Sequence, residues 1–391
     1  MSRRNLYIPG LLFIAVTIIV AFAAINSQRN LLFWIFGVMS SAIVMSAIVS
    51  HWTMVRLDVR RLGASHGTVD DALVVRYAIT NRSRFMPAFS IRVDERPPDG
   101  DPTWRGLLRP AQAWVMHIGP RETIHGEAVF WPLRRGAVAF EAVRLSTTFP
   151  FGVLRKTMTV VQPQQTLIHP KLHALRRRVL KAIVPDGPPG MKIAAHAGAN
   201  DDYFGLREYR IGDSLRHIAW KRLARSDDLV SIERSRPNPP RIRVVLNLIE
   251  PTDALRIDPE TENARDLEET AISLAASIIH AADEAGYEVG LTVHGVDVPL
   301  IPIRRNHWHR GRMLAALAGI DLDAPRLPRG PSARDERAGV VVVHPDRVVD
   351  LAGGASALHL RARQMSTLTD GPLGWTARRR HDTTAVSEVG S

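Results

Sequence analysis

Two uncharged, apolar stretches occupy the start of the chain. No charged residue occurs between Arg4 and Arg29, and a second uncharged stretch runs from Asn30 to Val55. Each is long enough to cross the ~30 Å hydrocarbon core of a bilayer as a helix, and each is apolar on most of its circumference. The polar joint over residues 26–30 leaves room only for a tight turn. The pattern therefore predicts an antiparallel transmembrane helical hairpin over residues 1–56.

The charges that flank the two stretches predict the orientation of the hairpin. By the positive-inside rule, both ends of the hairpin face the cytoplasm, because the joint contains only Arg29. A signal peptide cleaved near Ala21–Ala23 is an alternative, but its removal would leave the second apolar stretch in place. We therefore expect a two-helix protein of the cytoplasmic membrane, with lipid as a partner and the bulk of the chain in the cytoplasm. The flanking basic residues are Arg3, Arg4, Arg56, Arg60 and Arg61.

Short runs of β-forming residues alternate with turn signals over residues 57–165. None of the runs has a sustained helical period, and Pro or Gly separates several of them. This rhythm predicts a small β-sandwich-like domain. At its start, Gly63–Gly67 fits the G-x-S-x-G motif of a hydrolase nucleophile elbow, but that motif needs a strand before it and a helix after it. Its place between a membrane helix and a predicted strand indicates a flexible connection instead. The predicted strands lie near residues 72–80, 89–93, 113–118, 124–131 and 137–146.

A rhythm of strand followed by helix begins near residue 241. Apolar strands are predicted near residues 242–248, 289–294 and 340–343, with helices over 266–284 and around 313–317. Such alternation predicts a parallel sheet covered by helices. We expect this α/β domain to occupy residues 241–345, and the Arg-, Ser- and Thr-rich residues 346–391 to form a largely disordered tail. The predicted fold class is a multi-domain chain: a transmembrane hairpin, a small β-sandwich and an α/β domain.

Composition narrows the chemistry of the chain. It has no cysteine, which excludes disulfides, thiolate metal sites and cysteine nucleophiles. The net charge is +12, from 51 Lys and Arg against 39 Asp and Glu, and such an excess would suit nucleic acid or anionic lipid. The basic residues are spread over every segment and do not form one patch. We expect no nucleic-acid partner, and a nucleic-acid-binding membrane protein stays as an alternative.

Aromatic and charged residues alternate over residues 200–225, which we call the signature block. Gly212 permits a turn, and Asp213 is placed to N-cap a helix that would bury Ile218 and Ala219 on one face. Arg, Tyr and Trp dominate protein interface hot spots, but the same residue types could build a buried Arg–carboxylate network covered by aromatic rings. Both interpretations stay open. The candidate docking or structural residues are Phe204, Arg207, Tyr209, Gly212, Asp213, Arg216, Trp220, Lys221 and Arg225.

The signature block resembles the DUF58 family pattern, D-x-F-x-x-L-R-x-Y-x-x-G-D-x-x-R-x-I-x-W-K-x-x-A-R. The spacing from Phe204 to Leu206 is slightly shifted, and Ala219 stands where the family usually has His. Upstream, Arg134–Gly136 and Phe149–Gly152 resemble the family's R-R-G and D-P-F-G elements, with Phe149 in place of Asp. The resemblance covers about residues 1–345. It implies a signature segment over residues 166–240 and a von Willebrand factor A-like domain over residues 241–345.

The resemblance also bears on metal binding. Intact von Willebrand factor A-like domains end the first strand in D-x-S-x-S, whose oxygens hold a divalent metal. The matching stretch here, Asn247–Pro251, lacks both hydroxyls and begins with Asn. The resemblance thus implies a degenerate site without metal, although Glu250, Asp253 and Asp258 keep a divalent site as an alternative. Three further histidines do not have the spacing of a closed zinc site: His294, His307 and His309.

These features together predict a non-enzymatic, membrane-anchored scaffold or adaptor. The chain lacks the Gly-Lys-Ser/Thr of a Walker A motif, and we expect no cofactor and no small-molecule ligand. DUF58 proteins commonly accompany MoxR-type AAA+ ATPases, so the resemblance implies such an ATPase as the docked partner, in a chaperone-like or protein-maturation role. The alternative is a hydrolase-type enzyme that uses acid–base residues of the signature block: Glu208, Asp213 and His217.

Overall fold

The structure, a computed structural model, describes residues 8–63, 66–97, 104–183, 197–210, 218–220, 229–235, 240–257, 263–327, 338–348 and 357–373. These residues form two compact units, one ending at Pro170 and the other running from Lys171 to Leu373. The first unit contains the predicted hairpin and β domain. The second contains the signature block and the α/β domain.

Two apolar helices begin the first unit, as predicted. Helix α1 spans Ile8–Ser27 (20 residues) and helix α2 spans Asn30–Val55 (26 residues). At ~1.5 Å per residue both have the length of membrane-spanning helices. Gln28 makes the tight joint, with a φ of 49° and a hydrogen bond of 3.0 Å from its N–H to the Ala24 carbonyl. Most large apolar side chains of both helices are exposed, so they are available to lipid.

Nine strands follow in the described part of the first unit. They form one sheet of order β1-β3-β7-β5, antiparallel throughout, and one of order β2-β9-β8-β4-β6, antiparallel except for the β2–β9 pair. A short helix, α3 (Trp104–Leu107), precedes β5. The strands are β1 Leu57–Leu62, β2 His66–Thr68, β3 Leu73–Asn81, β4 Ala88–Arg96, β5 Leu108–Arg109, β6 Gln112–Ile118, β7 Thr123–Pro132, β8 Gly136–Thr147 and β9 Lys156–His169.

Side chains of both sheets fill one hydrophobic core. Every second residue of β3 and β7 is buried, which is the period-two alternation that predicts a half-buried strand. The rings of Phe130 and Phe140 meet edge to face with centroids 5.7 Å apart. Strand β9 is the longest strand of the unit but was not predicted, because its middle, Gln162–Gln165, is polar and contains a proline.

A buried ion pair crosses the β domain. The side chains of Arg61 and Glu95 are 2% and 0% exposed, and the guanidinium donates two hydrogen bonds, of 2.7 and 2.6 Å, to the carboxylate. Tyr77 donates to the same carboxylate at 2.8 Å, and the Gln162 carbonyl accepts from Arg61 at 2.7 Å. Burial, and then the Glu95 charge, raise the pKa of Tyr77 far above its usual value.

The second unit begins with short elements that precede, contain or follow the signature block along the chain. Strand β10 (His173–Leu175) is followed by helix α4 (Arg177–Ile183). Strand β11 (Ala197–Glu208) then pairs antiparallel with β12 (Val230–Ser235).

The rest of this unit is one sheet with helices. Its strands are β13 Arg241–Asn247, β14 Glu288–His294, β15 Ile301–Arg304, β16 Gly339–His344 and β17 Ala357–Arg361. Their order is β15-β14-β13-β16-β17, parallel except for β15 at one edge. The main helices are α5 (Ala264–Glu284) and α6 (His307–Ala318). Helix α5 packs its apolar face into the core that the sheet also lines.

The observed limits of the two units differ from the predicted domain limits of 165 and 345. Strand β9 continues to His169, so the first unit ends later than predicted. Strand β17 joins the sheet beyond residue 345, and after helix α7 (Met365–Leu368) a last strand, β18 (Thr369–Pro372), pairs with β10. These strands have five and four residues, too few for a clear period in the sequence. Residues 374–391 of the predicted tail lie outside the described residues.

The G-x-S-x-G motif lies in the connection between β1 and β2. The two residues of the motif before His66, including Ser65, lie outside the described residues. The element that follows is strand β2 and not the helix that a nucleophile elbow needs, but strand β1, not the membrane helix, precedes the motif. His66 stacks on His169 with ring centroids 5.4 Å apart.

Candidate functional site

The described part of the signature block forms strand β11 and its surroundings. Arg207 lies opposite Ser231 of β12, and the Tyr209 N–H donates to the Leu229 carbonyl at 2.9 Å. Arg207 and Tyr209 are half-buried, and the Arg207 guanidinium donates to the Glu208 carbonyl at 3.1 Å. Of the other candidates, Gly212, Asp213, Arg216, Lys221, Arg225 and the Phe204 side chain lie outside the described residues.

A second piece of the block pairs with β12 and corrects one prediction. Ile218 forms an antiparallel bridge with Ser231, and the Ala219 N–H donates to the Val230 carbonyl at 2.9 Å. These two residues are therefore extended and do not belong to a helix that begins at Asp213. The main-chain hydrogen bonds to β12 replace those of a helix, and they bury the β-branched Ile218 to 4% exposure.

The pairing brings the candidate Arg207 and a second piece of the block, at Ile218, to the same strand. Ser231 has Arg207 as its register partner in β11 and Ile218 as its bridge partner. Trp220 follows two residues after Ile218, and its side chain is 58% exposed. A tryptophan this exposed does not cover a buried ion network, so for Trp220 the geometry favours the docking interpretation.

The carboxyl edge of the parallel sheet is the second candidate site. We use this name for the ends of β13, β14, β16 and β17 and the loops that follow them. The chain runs from β13 to β14 on one side, and β16 lies on the other side of β13, which makes the β13–β16 boundary a topological switch point. Ligands of open α/β sheets bind at such points. Here Asn247 ends β13 and His344 ends β16.

A chain of three polar side chains closes this switch point. The Asn247 Nδ2 lies 3.2 Å from the His344 Nδ1, and the His344 Nε2 lies 3.0 Å from the His359 Nδ1. The Asn247 Oδ1 accepts from the Ile249 N–H at 3.2 Å, which turns the amide nitrogen toward His344. His344 therefore accepts at Nδ1 and donates from Nε2. Asn247 and His344 are fully or nearly fully buried.

His344 is neutral at physiological pH. Burial, and then the neighbouring His359 ring, lower the pKa of His344 to about 4. The two rings stack with centroids 5.3 Å apart. A neutral imidazole suits the observed chain, because each nitrogen then has one defined role, as acceptor or as donor.

Two carboxylates of the carboxyl edge are bound by arginines. The Arg326 guanidinium donates to Glu268 at 2.5 Å, and the Thr252 hydroxyl donates to the other Glu268 oxygen at 2.9 Å. Arg363 contacts Asp346 at 2.9 Å, and the Arg256 N–H donates to the same carboxylate at 3.1 Å. Burial raises the pKa of Glu268, and the Thr252 and Arg326 contacts oppose that rise.

Glu250, one of the three acids named as a possible divalent site, is also bound by an arginine. Its carboxylate accepts from the Arg347 Nε at 2.8 Å. Asp253 is exposed, and Asp258 lies outside the described residues. Among the described residues, no group of three or more His, Asp and Glu side chains is placed to hold a metal ion. The described donors do not fit a divalent cation, because Asn247 bonds to a histidine and the carboxylates near it bond to guanidinium groups.

One member of the separate histidine set, His309, has a structural explanation. His309 is 9% exposed, and its Nε2 lies 3.0 Å from the Val289 carbonyl, which ties helix α6 to β14. Its neighbour Trp308 is 80% exposed. Sequence reasoning missed the partners at the carboxyl edge, since His359, Arg326 and Arg363 reach it from loops and strands distant along the chain.

Comparisons with known proteins identify a similar family but no described function. Residues 205–360 match the family model described as protein of unknown function DUF58. The uncharacterized protein YeaD of Bacillus subtilis (strain 168) is 26% identical over 215 residues, which are 55% of this chain and 50% of YeaD. The chain thus spans about half the length of that relative.

Among solved structures, the GH20 exo-β-N-acetylglucosaminidase of Vibrio harveyi, crystallised with N-acetylglucosamine, has a TM-score of 0.16 at 10% identity. The match covers 80% of this chain and 59% of that one. So low a score carries no argument on fold or function. Residues 205–360 are therefore similar to the DUF58 family, and the YeaD relative supports that similarity over part of the chain.

Proposed function

We propose that this chain is a non-enzymatic, membrane-anchored scaffold that docks a protein partner, an AAA+ ATPase of the MoxR type. One observation carries the proposal. At the switch point, where an α/β domain of this kind would hold a ligand, the polar groups bond to one another: Asn247 to His344, His344 to His359, and the nearby carboxylates to arginines. An edge built in this way presents a fixed surface to a partner.

The order of the sheet supports a von Willebrand factor A-like architecture for the second unit. Four of its five strands are parallel, β13 lies at the centre, and the antiparallel β15 lies at one edge. In this interpretation Asn247 occupies the place of the leading metal-binding Asp. The guanidinium groups then supply the positive charge that a divalent cation would otherwise bring to the acidic loops.

The two apolar helices support the anchor. Their length and exposed apolar side chains suit lipid, and the arginines before α1 and after α2 outnumber the single arginine of the joint. Under the positive-inside rule the bulk of the chain then lies in the cytoplasm, where an ATPase can reach it. ATP hydrolysis would be supplied by the partner, in a chaperone-like or protein-maturation role.

Trp220 is the docking residue that can be tested most cleanly. It belongs to the signature block and is 58% exposed, and Trp114 of β6 in the first unit is also 58% exposed. The two residues therefore form a matched pair for substitution. If the signature block docks the partner, Trp220→Ala removes an interface anchor, whereas Trp114→Ala does not.

The test is recovery of the partner from source cells. Tagged full-length chain is solubilised in detergent, and co-purifying proteins are identified by mass spectrometry for the unmodified chain, Trp220→Ala, Trp114→Ala and Arg207→Ala/Arg216→Ala. We expect an AAA+ ATPase with the unmodified chain and with Trp114→Ala, and at least a tenfold loss with Trp220→Ala, since an interface anchor contributes about 2 kcal/mol or more. Absence of any ATPase from the unmodified sample, or equal recovery with Trp220→Ala and Trp114→Ala, would contradict the proposal.

A further inference from the structure

Three loops of the β domain gather at the end of helix α2. The Arg82 N–H donates to the Arg56 carbonyl at 2.8 Å, immediately after the helix, and Arg82 also contacts Asp58 at 2.5 Å. Loop 118–122 joins them, because the Arg121 N–H donates to the Ser83 carbonyl at 3.1 Å. Loop 148–155 lies beside them, with the Phe149 and Phe89 rings 4.8 Å apart. We call loops 82–87, 118–122 and 148–155 the rim.

Helix α1 meets the same rim from its first turn. A Cβ atom added to Gly10 would lie 1.8 Å from the Val153 carbonyl oxygen, so the helix backbone rests directly on loop 148–155 at that point. The start of α1 and the end of α2 are the two points at which an antiparallel hairpin would leave the bilayer on one side. The rim therefore lies at the depth where the lipid headgroups begin.

The rim exposes large apolar side chains that the core does not need. Phe85 is 83% exposed, Phe151 is 57% exposed and Met86 is 43% exposed. The loop that carries Phe85 is nevertheless well fixed, because the Asn81 amide donates to the Met86 carbonyl at 2.9 Å and to the Ile118 carbonyl at 3.2 Å. A phenylalanine held in water at the tip of a fixed loop forgoes the stabilisation that burial of its ring would provide.

The charge of the rim matches a phospholipid surface. Its three loops contain four arginines and one acidic residue: Arg82, Arg84, Arg121, Arg155 and Glu122. The Arg84 guanidinium lies 5.7 Å from the centroid of the Phe85 ring. Arg56 lies at the same distance, 5.7 Å, from the Trp52 ring near the end of α2. Paired aromatic rings and basic groups are typical of the membrane–water interface, where the ring sits among headgroups and the cation binds phosphate.

We propose that the rim is immersed in the headgroup region of the bilayer, with Phe85 and Phe151 inserted and the rim arginines on lipid phosphates. This inference rests on the membrane anchor of the proposed function and adds a second contact to it. Because the chain enters the β domain directly from α2, the rim fixes that domain against the membrane and limits the directions in which it can present its surfaces.

The absence of cysteine from the chain makes the test direct. Single cysteines replace Phe85, Phe151, Leu133 and Val38, one in each full-length variant, and each is spin-labelled and reconstituted into vesicles of phosphatidylcholine and phosphatidylglycerol. Leu133 is the control within the β domain, since it is 37% exposed and follows β7 at the end opposite to Thr123, ~33 Å along the strand. Val38, in the middle of α2 and 63% exposed, reports on the anchor.

Collision of the label with dissolved oxygen and with a water-soluble nickel chelate reports its depth. We expect oxygen collisions to exceed nickel collisions at positions 85, 151 and 38, and the reverse at position 133. If nickel collisions dominate at both positions 85 and 151 while oxygen collisions dominate at position 38, the proposal that the rim is immersed in the headgroups is wrong and the membrane anchor stands. A nickel-dominated signal at position 38 would overturn the anchor and the rim together.

Discussion

The two units each contain a buried Arg–Glu pair, and the pairs differ in how completely they are bonded. In the β domain both charged groups of the pair are fully hydrogen-bonded. Arg61 donates to both Glu95 oxygens and to the Gln162 carbonyl, and the Tyr77 hydroxyl donates to the Glu95 carboxylate. At the carboxyl edge, the Glu268 carboxylate accepts hydrogen bonds from Arg326 and Thr252. The Arg326 Nη1, however, is buried and has no hydrogen-bond partner among the described residues.

This difference predicts that the two pairs contribute differently to the stability of their units. A buried donor without an acceptor costs about 1–3 kcal/mol, which lowers the net contribution of the Arg326 pair. In the β domain the charges fix how β1 and β4 lie relative to each other. At the carboxyl edge the Glu268–Arg326 pair is less completely bonded, so we expect it to contribute less to the stability of its unit.

The largest effect is expected from removing one charge of the complete pair. Glu95→Gln leaves Arg61 buried without its counter-ion, which should destabilise the β domain by about 3–5 kcal/mol. Hydrogen exchange of the full-length chain in detergent measures it, with loss of protection in β3 and β4 and none in α5. Glu127→Gln is the control, because its exposed pair with Arg76 contributes less than about 1 kcal/mol. Equal losses in the two variants would refute the structural role of the pair.

A smaller difference in unfolding free energy is expected between the two pairs when both residues of one pair are replaced together. Arg61→Met/Glu95→Met leaves the buried Tyr77 hydroxyl without its acceptor, so we expect a loss of about 1–3 kcal/mol. Arg326→Met/Glu268→Met removes a donor that was already unsatisfied, and the Thr252 hydroxyl that loses its acceptor is only half-buried, so we expect a change within about 1 kcal/mol. Denaturant unfolding, followed separately in each unit by hydrogen exchange, gives both values. The reverse order would mean that the carboxyl edge, not the β domain, holds the structural pair.

The pH dependence should be alike in the two units. Burial lowers the pKa of His169 in the first unit and of His344 in the second to about 4, from an ordinary 6.5. Between these values the unfolded chain binds a proton that the folded chain does not, so stability falls as the pH falls from 6.5 to 4. We expect about 2 kcal/mol for each histidine, below the full linkage value because solvent screens part of the shift.

Replacing each histidine tests this assignment. His344→Gln should flatten the pH dependence of the second unit between pH 6.5 and 4 and leave that of the first unchanged, and His169→Gln should do the opposite. Thermal unfolding at a series of pH values, read by hydrogen exchange in each unit, is the measurement. A steep slope that survives in the variant's own unit would mean that another group titrates there.

Local patterns were sufficient for helices α1, α2, α5 and α6 and for several strands of the central cores. The hairpin follows from the length of its charge-free stretches, and β13, β14 and β16 follow from continuous apolar runs. Strands β9 and β17 were missed because one is polar in its middle and the other has five residues. The positions of these two strands depend on pairing with neighbouring strands in the sheet. The local pattern of hydrophobic residues does not reveal that pairing.

At the candidate site, the sequence predicted only a residue whose position matches a known family motif. Asn247 could be singled out because the family resemblance implied that it stands where a metal-binding domain would have Asp. Its partner His344 lies 97 residues away, and Arg326 lies 58 residues from Glu268. Such pairs are brought together by the order of the strands, and a single sequence does not contain that information. The extended backbone at Ile218 was misjudged for the same reason, since its partner β12 is distant from the expected helix cap.

In our account, the hydrogen bonds between Asn247, His344 and His359, not a metal ion, close the switch point of the parallel sheet. Titration of the full-length chain in detergent with Mn²⁺, followed by the electron paramagnetic resonance signal of free Mn²⁺, tests it most directly. We predict that the free signal rises from the first addition, in the unmodified chain and in Asn247→Ala alike. Stoichiometric uptake of Mn²⁺ by the unmodified chain that Asn247→Ala or Glu250→Gln abolishes would contradict the account.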